Sequence, residues 1–309
     1  MLVRLTSVPF LLLYTWLASA LFVHLRGKVR HRFLRQLTDH STFLAPYNFW
    51  VYLFSGVRNR PVQDVGRFPE LAALGRSWEA IRDEALALFD DGQLREAARR
   101  DDIAFNTFFK RGWKRFYVKW YDDVLPSALE RCPRTVELVR ALPGVHAAMF
   151  ALLPPGSRLG AHRDPFAGSL RYHLGLVTPG DPDCAIQVDD ETLVWHDGEA
   201  VMFDETFIHR AWNRTGTPRL ILFCDVERPI AFPPFRWLNR FVCRHLLRAT
   251  SSNNLPEERL GVVNRLAAGV HWVKEASLRL KKANRRLYYA LKYALFAVVL
   301  YLLLFRDLL

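Results

Sequence analysis

The chain has 309 residues, with 43 Lys and Arg against 31 Asp and Glu, a formal charge of +12. Half of it is apolar and a quarter is charged, which excludes a disordered chain and allows one large core or two small ones. An excess of this size points first to nucleic acid or to an anionic membrane surface. Its position decides between them. Residues 1–38 hold six cations and no acid, residues 274–286 hold six against Glu275 alone, and residues 39–273 balance at 29 against 29. A nucleic-acid enzyme carries its excess on the folded body, so no nucleic-acid partner is expected.

Each basic tract abuts an apolar run. Residues 8–23 carry no charge, and residues 287–305 carry only Lys292. A span needs about 20 mostly apolar residues. Transmembrane helices are therefore expected at 5–25 and 287–305, with Tyr14, Trp16, Tyr288, Tyr289, Tyr293 and Tyr301 supplying aromatics that suit interfaces near the ends. Both basic tracts lie between the runs, so the positive-inside rule puts residues 26–286 in the cytosol of a multi-pass protein. Ala18-Ser19-Ala20 also resembles a signal-peptide cleavage site, but the apolar run continues past it and dense basic charge follows. A buried core helix is the third reading of that run. Cys132, Cys184, Cys224 and Cys243 show no metal or disulfide spacing, as expected in a reducing compartment.

Residues 26–110 read as a basic juxtamembrane and helical segment. Within it, Trp78, Ile81, Ala85 and Leu88 recur at helical spacing, predicting a helix over 75–100 that ends at Asp91-Gly92. Residues 40–70 hold many aromatics with no clear period, either as core or as a surface lying on lipid. Between 145 and 228, short apolar runs alternate with turns such as Pro154-Pro155-Gly156 and Asn213-Arg214-Thr215-Gly216. Six or more short strands without intervening helix predict a sandwich or barrel of jelly-roll type. Residues 235–286 turn helical and basic. Arg236, Arg240, Arg244 and Arg248 repeat every four residues opposite Trp237, Leu238, Phe241, Val242 and Leu246, which fits both an in-plane membrane helix and one packed on the β-domain.

The chemistry concentrates in Gly160-Ala161-His162-Arg163-Asp164-Pro165. His162 and Asp164 are i and i+2, so a strand projects them from one face. With a second histidine from a neighbouring strand, here His209, they form the two-histidine, one-carboxylate set that holds Fe(II) on one face and leaves positions open. Alone, the pattern is equally that of a satisfied strand histidine beside a turn aspartate. No P-loop, Rossmann glycine pattern or GxSxG elbow occurs.

Five blocks follow in order: Gly160 to Pro165, Leu170 to Leu176 with Arg171 and His173, Trp195 to Asp204, His209 to Trp212, and Arg219 to Val226. With Gly112 to Phe116 and Cys132 to Thr135 upstream, this order resembles the aspartyl/asparaginyl β-hydroxylase family of Fe(II)/2-oxoglutarate dioxygenases. The terminal apolar runs and the sequence His162 to Gly168 are most similar to the bacterial lipid A 2-hydroxylases. The resemblance implies an α+β fold with a double-stranded β-helix over 111–229, flanking helices and a transmembrane helix at each end. It makes His162 and His209 iron ligands. Family members acting on protein have glycine at Asp164; the lipid-type motif and the spacing favour ligation by it. The resemblance makes Arg219 the partner of the distal carboxylate of 2-oxoglutarate, and Arg171, His173 and Trp120 its further contacts. A family serine falls near Ala151 and is missing.

The expected protein is an integral enzyme of a bacterial inner membrane. It uses Fe(II) and 2-oxoglutarate to hydroxylate a lipid acyl chain, first of all carbon 2 of a lipid A acyl group. Another membrane lipid such as an ornithine lipid, a protein aspartyl or asparaginyl residue, and a non-catalytic jelly-roll sensor are the alternatives. No protein partner is evident.

Overall fold

The structure is a computed structural model and describes residues 6–37, 39–90, 95–96, 113–121, 123–255, 257–259, 261–269 and 271–305. The strand-rich middle forms strands β1 (Val62–Gln63), β2 (Arg95–Glu96), β3 (Lys114–Trp120), β4 (Asp123–Val124), β5 (Val145–Leu153), β6 (Arg158–His162), β7 (Ser169–Val177), β8 (Cys184–Val188), β9 (Glu191–Val194), β10 (Ala200–Phe203), β11 (His209–Asn213) and β12 (Arg219–Glu227). They pair antiparallel in two sheets. The larger runs β1-β10-β7-β12-β5-β3-β2, with β4 on β3; the smaller runs β6-β11-β8-β9. From β5 onward the chain changes sheet at each connection except the β8–β9 hairpin. That winding lays two sheets face to face as a jelly roll.

Local chemistry sets the turns. Gly156 takes φ +71° after the two prolines, and Asp189 takes φ +53° in the β8–β9 hairpin, a left-handed position that aspartate tolerates. All nine residues of β5 are buried, because the larger sheet is covered on both faces. Helices α3 (Trp78–Asp90) and α4 (Pro133–Arg140) pack on it, α3 inserting Ile81, Ala85 and Leu88 at the expected spacing. The expected helix is shorter than 75–100. Its terminator Asp91-Gly92 lies outside the described residues, and Arg95–Glu96 pairs with β3 as a strand.

Before and after this body lie α1 (Val8–Leu25), α2 (Ala45–Leu53), α5 (Pro233–Val242) and α6 (Arg285–Phe305). Pro9 starts α1, where a missing N–H costs nothing. The Thr15 and Ser19 hydroxyls donate to Leu11 O (2.8 Å) and Thr15 O (2.7 Å), so the helix satisfies its own polar groups. Among the described residues, α1 alone is long and apolar enough to cross a membrane, by length and composition. The expectation of a span at each end is therefore corrected. Arg285, Arg286 and Lys292 fall in the first eight residues of α6. They leave an uncharged stretch from 293 to 305 of ~20 Å, short of the ~30 Å hydrocarbon thickness.

The segment after α1 is bonded into the body. Asp204, fully buried, receives Arg26 from the end of α1 and Arg228 (2.7 Å) from the exit of β12. Arg26 also donates to Thr206 Oγ1 and Asn59 Oδ1, both at 2.6 Å, and its guanidinium lies 3.8 Å from the Tyr52 ring centroid and 3.9 Å from that of Phe207. One residue pair further, the backbone N–H groups of Lys28 and Val29 donate to Asp189 at 3.0 and 2.6 Å. Arg26, expected to serve the membrane border with the other cations of its tract, is instead a buried ion-pair partner.

Burial raises the Asp204 carboxyl, but the two guanidiniums and Thr206 outweigh it and hold it well below the usual carboxylate range. Its stabilisation is thus present above the unfolded aspartate pKa of about 3.9 and is lost as pH falls through the folded value. Asp204→Asn, which strands two buried cations, is expected to cost about 3–5 kcal/mol and to flatten the acid limb of the stability–pH curve, read by chemical denaturation from pH 7 to pH 3.

Candidate active site

The site is built by strand alternation. On β6 and β11, His162 and His209 lie directly opposite each other, and their ring centroids are 4.2 Å apart. Asp164 follows β6 at i+2, with Oδ1 3.7 Å from His162 Nε2. One donor atom from each of the three lies within 4.8 Å of those of the other two. The rings are oriented from behind: His162 Nδ1 faces Gly160 O (2.7 Å) and His209 Nδ1 faces Phe207 O (3.0 Å). An Nδ1–H donated to each carbonyl leaves both Nε2 lone pairs for a metal.

Electrostatics keep His209 and Asp164 in their ligating forms. Burial, and then the neighbouring His162, push His209 down to about 3, so its imidazole is neutral at physiological pH. Burial raises Asp164, but Arg171 and then the two imidazoles outweigh it and hold the carboxyl at about 2. Arg171 Nη2 donates to Asp164 Oδ2 and its Nε to Asp225 Oδ1, both at 2.8 Å. Tyr121 Oη donates to the other Asp225 oxygen at 3.2 Å, and the Phe223 ring lies 3.9 Å from the guanidinium. Arg171 thus orients a candidate ligand. Its guanidinium is paired with both Asp164 and Asp225 at the wall of the pocket.

A pocket continues inward from the three donors. Arg171 and His173 reach it from β7, and Arg219, Ile221 and Phe223 reach it from β12, all at period two. Arg219 is 2 % exposed and has no carboxylate or carbonyl partner among the described residues; its guanidinium lies 4.4 Å from the Trp195 ring centroid. The Arg219 Nε, both His173 ring nitrogens and Trp195 Nε1 are buried without a hydrogen-bond partner. Burial, then Arg219 and Arg171, push His173 well below its ordinary value. A buried cation beside unused donors in one pocket has the chemistry to accept a small anion. Ala151 lines it with a methyl group, where the family resemblance places a serine.

Six of the seven sequence-identified site residues, His162, Asp164, His209, Arg171, His173 and Arg219, meet in this pocket. Trp120 does not. Its Nε1 donates to Leu247 O (3.1 Å) and Thr250 Oγ1 (3.3 Å) beside a larger cavity. The register of β3 on β5 slips between Tyr117 and Lys119, so Trp120 pairs with Ala147, at the far end of β3 from Trp113. Trp113, at the start of β3, lines the pocket instead. Sequence reasoning also missed Trp195 and Asp225 as site residues. The alternation Arg219, Ile221, Phe223, Asp225 was the signal for the second.

A jelly roll with two histidines and a carboxylate converging on one pocket has the donor set of the mononuclear non-haem iron oxygenases. The chain belongs to the aspartyl/asparaginyl β-hydroxylase family, whose model matches residues 75–229. It is 35% identical over 190 residues to the ornithine lipid ester-linked acyl 2-hydroxylase of Rhizobium tropici, covering 58% of this chain and 65% of that protein. It is 28% identical over 202 residues to the human aspartyl/asparaginyl β-hydroxylase, covering 63% of this chain and 26% of that protein. The chain therefore spans less than two thirds of each. A solved prolyl-4-hydroxylase from Pseudomonas putida superposes with a TM-score of 0.34 at 19% identity, over 50% of this chain and 88% of that one, a likeness too distant to bear on function.

Divalent-metal binding reports the cluster directly. His162→Ala and His209→Ala are each expected to abolish tight Mn(II) binding measured by calorimetry. Arg171→Met, which leaves the donors in place but frees Asp164, is expected to weaken it by about 10–100-fold. Unchanged affinity in the histidine variants would remove the metal assignment.

Proposed function

We propose that this protein hydroxylates an acyl chain of a membrane lipid at carbon 2, using Fe(II) and 2-oxoglutarate. The observation that carries the reading is the convergence of His162, Asp164 and His209 on a pocket that also holds Arg219, a buried cation without an anionic partner. Fe(II) with 2-oxoglutarate and O2 would supply oxidation of an unactivated C–H bond, yielding the hydroxylated chain, succinate and CO2. This chain's own residues would do the rest. His162 and His209 present Nε2, and Asp164 is kept ionised and oriented by Arg171. The Arg219 fork suits the distal carboxylate of 2-oxoglutarate, with His173 and Trp195 as adjoining donors. Phe203, Phe223, Ile186 and Ile221 wall the pocket with apolar surface and limit water.

The substrate is argued from the surroundings. An acyl chain stays in the bilayer, and α1 would hold the enzyme there. Lys28, Arg30, Arg32 and Arg35 follow α1, and by the positive-inside rule they would face the cytoplasm together with the body. The relative from Rhizobium tropici makes an ornithine lipid the first substrate to offer; a lipid A acyl group is the second. Hydroxylation of a protein side chain is the competing reading, favoured by the human relative.

Incubating the purified protein with Fe(II), 2-oxoglutarate and extracted bacterial lipid is expected to release succinate and to add the mass of one oxygen atom to a lipid acyl chain. The same mass gain on a peptide alone would transfer the activity to protein, and lipid binding without succinate would make the chain a sensor. Arg219→Ala is expected to raise the KM for 2-oxoglutarate by about 100-fold, ~3 kcal/mol of a charged bidentate contact, with Mn(II) binding retained.

A further inference from the structure

Three helices outside the family match grip the metal-site loop from one side and leave their other side bare. The grip is specific. Arg163, between the two donors of the first block, sends Nη1 to Val23 O in α1 (3.0 Å). Asn48 of α2 brackets the loop, donating to Pro165 O (2.8 Å) and accepting from Ala167 N (3.0 Å). Asn239 of α5 donates to Gly168 O (3.1 Å) and accepts from Tyr47 Oη. The approach is so close that a Cβ on Gly168 would lie 1.9 Å from Asn239 Oδ1.

The outer side is aromatic and continuous. Phe22 of α1 packs on Phe49 (5.3 Å), Phe49 on Trp50 (5.7 Å), Trp50 on Phe54 (6.0 Å) and Phe54 on Phe232 (4.8 Å), all between ring centroids. Trp50 is 45 % and Phe232 44 % exposed. On α5 the stacked pair Trp237 and Phe241 is 69 % and 45 % exposed. Exposed rings in this number are uncommon on a surface that meets only water. Beside them runs the arginine row that starts on α5 and continues past it to Arg248. Arg240 is paired with Glu227 (2.8 Å) and Arg248 with Asp123 (2.6 Å), while Arg236 is exposed.

We propose that the outer faces of α2 and α5 form a docking platform that seats the catalytic body on an anionic phospholipid surface beside α1. Two observations name the occupant. The ring chain starts on α1 itself, so the apolar surface is continuous with the helix that enters the bilayer. The arginine row adjoins the aromatic one, the arrangement an in-plane helix presents to anionic head groups. Sequence alone left α5 between a membrane helix and a packed one; it is both, with Asn239 and Cys243 buried against the body and Trp237 and Phe241 outward. Because the inner faces hold residues 163–168, docking would bring the metal site to the level of the lipid surface. The inference rests on reading α1 as a membrane helix and not on the choice of acyl substrate.

The test uses the full chain reconstituted into phosphatidylcholine vesicles with or without phosphatidylglycerol. An environment-sensitive fluorophore is placed at Trp237→Cys and, separately, at Trp50→Cys. The four native cysteines are all buried, so labelling reports the introduced thiol. Both labels are expected to shift to the blue and to lose most of their emission to a quencher carried on the lipid chains. Phosphatidylglycerol is expected to strengthen the effect at 237, and Arg236→Glu to remove that strengthening. Phe241→Cys serves as the second reporter should Trp237→Cys fold poorly. Labels quenched only by aqueous iodide in both vesicle types would overturn the platform. So would self-quenching between labelled copies without lipid quenching, which would make α5 a protein–protein face. The readout needs no turnover, so it can fail while acyl hydroxylation stands, and the reverse.

Discussion

The buried Asp204 carboxylate joins three parts of the chain that are far apart in sequence. Arg26 brings the end of α1, Arg228 brings the exit of β12, and Thr206 brings the turn that leads to His209. A buried ion pair adds little over a well-packed apolar contact, but removing one member leaves a charge in low dielectric. The cost of separating these parts is therefore far larger than the gain from joining them. That asymmetry fixes geometry more than it adds stability. It sets where the His209 turn can lie, and through Phe207 O it sets the ring that meets His162.

The other half of the site is held by the same logic from two sides. Arg171 fixes Asp164 from within the jelly roll, with Asp225 and Tyr121 behind it. Val23, Asn48 and Asn239 fix the loop after Asp164 from outside. The inner set lies inside the family match at 75–229, except that its effect depends on a loop whose outer restraints all lie beyond it. The jelly roll and the segments around it are one structural unit at this loop, although only the first is recognisable as a family domain.

The donor triad was legible because strand alternation is a rigid rule: His162 and Asp164 at i and i+2 share a face whatever the rest of the fold does. Arg219, Arg171 and His173 were legible from the order of the blocks. What sequence does not show is that the Arg171 fork is paired with Asp164 and Asp225. Trp120 sits at the far end of β3 from Trp113, and sequence does not show that Leu247 O and Thr250 Oγ1 take its indole N–H. Arg26 was read as topology because a cation after an apolar helix looks the same whether it faces head groups or a buried carboxylate. The second span, expected over 287–305, holds Lys292 within it, which leaves 293–305 as its uncharged stretch; among the described residues α1 alone has the length and composition of a span.

The neutral body noted at the outset has a structural meaning. Its interior holds several cations, and among the described residues all but Arg219 have an oxygen to meet. Arg115 donates to Ser252 Oγ and Asn253 O, Lys119 to Val145 O, and Arg163 to Val23 O. Arg171 and Arg228 meet carboxylates. Among these buried side chains Arg219 stands apart, stacked near Trp195 with no oxygen partner among the described residues. A chain that pairs every other buried cation has no folding reason to leave this one unpaired, because burial without a partner only destabilises it. The unpaired charge fits the proposed co-substrate, which would bring its own anion next to His162, Asp164 and His209. The electrostatics of the interior thus point to an anionic co-substrate independently of the family resemblance.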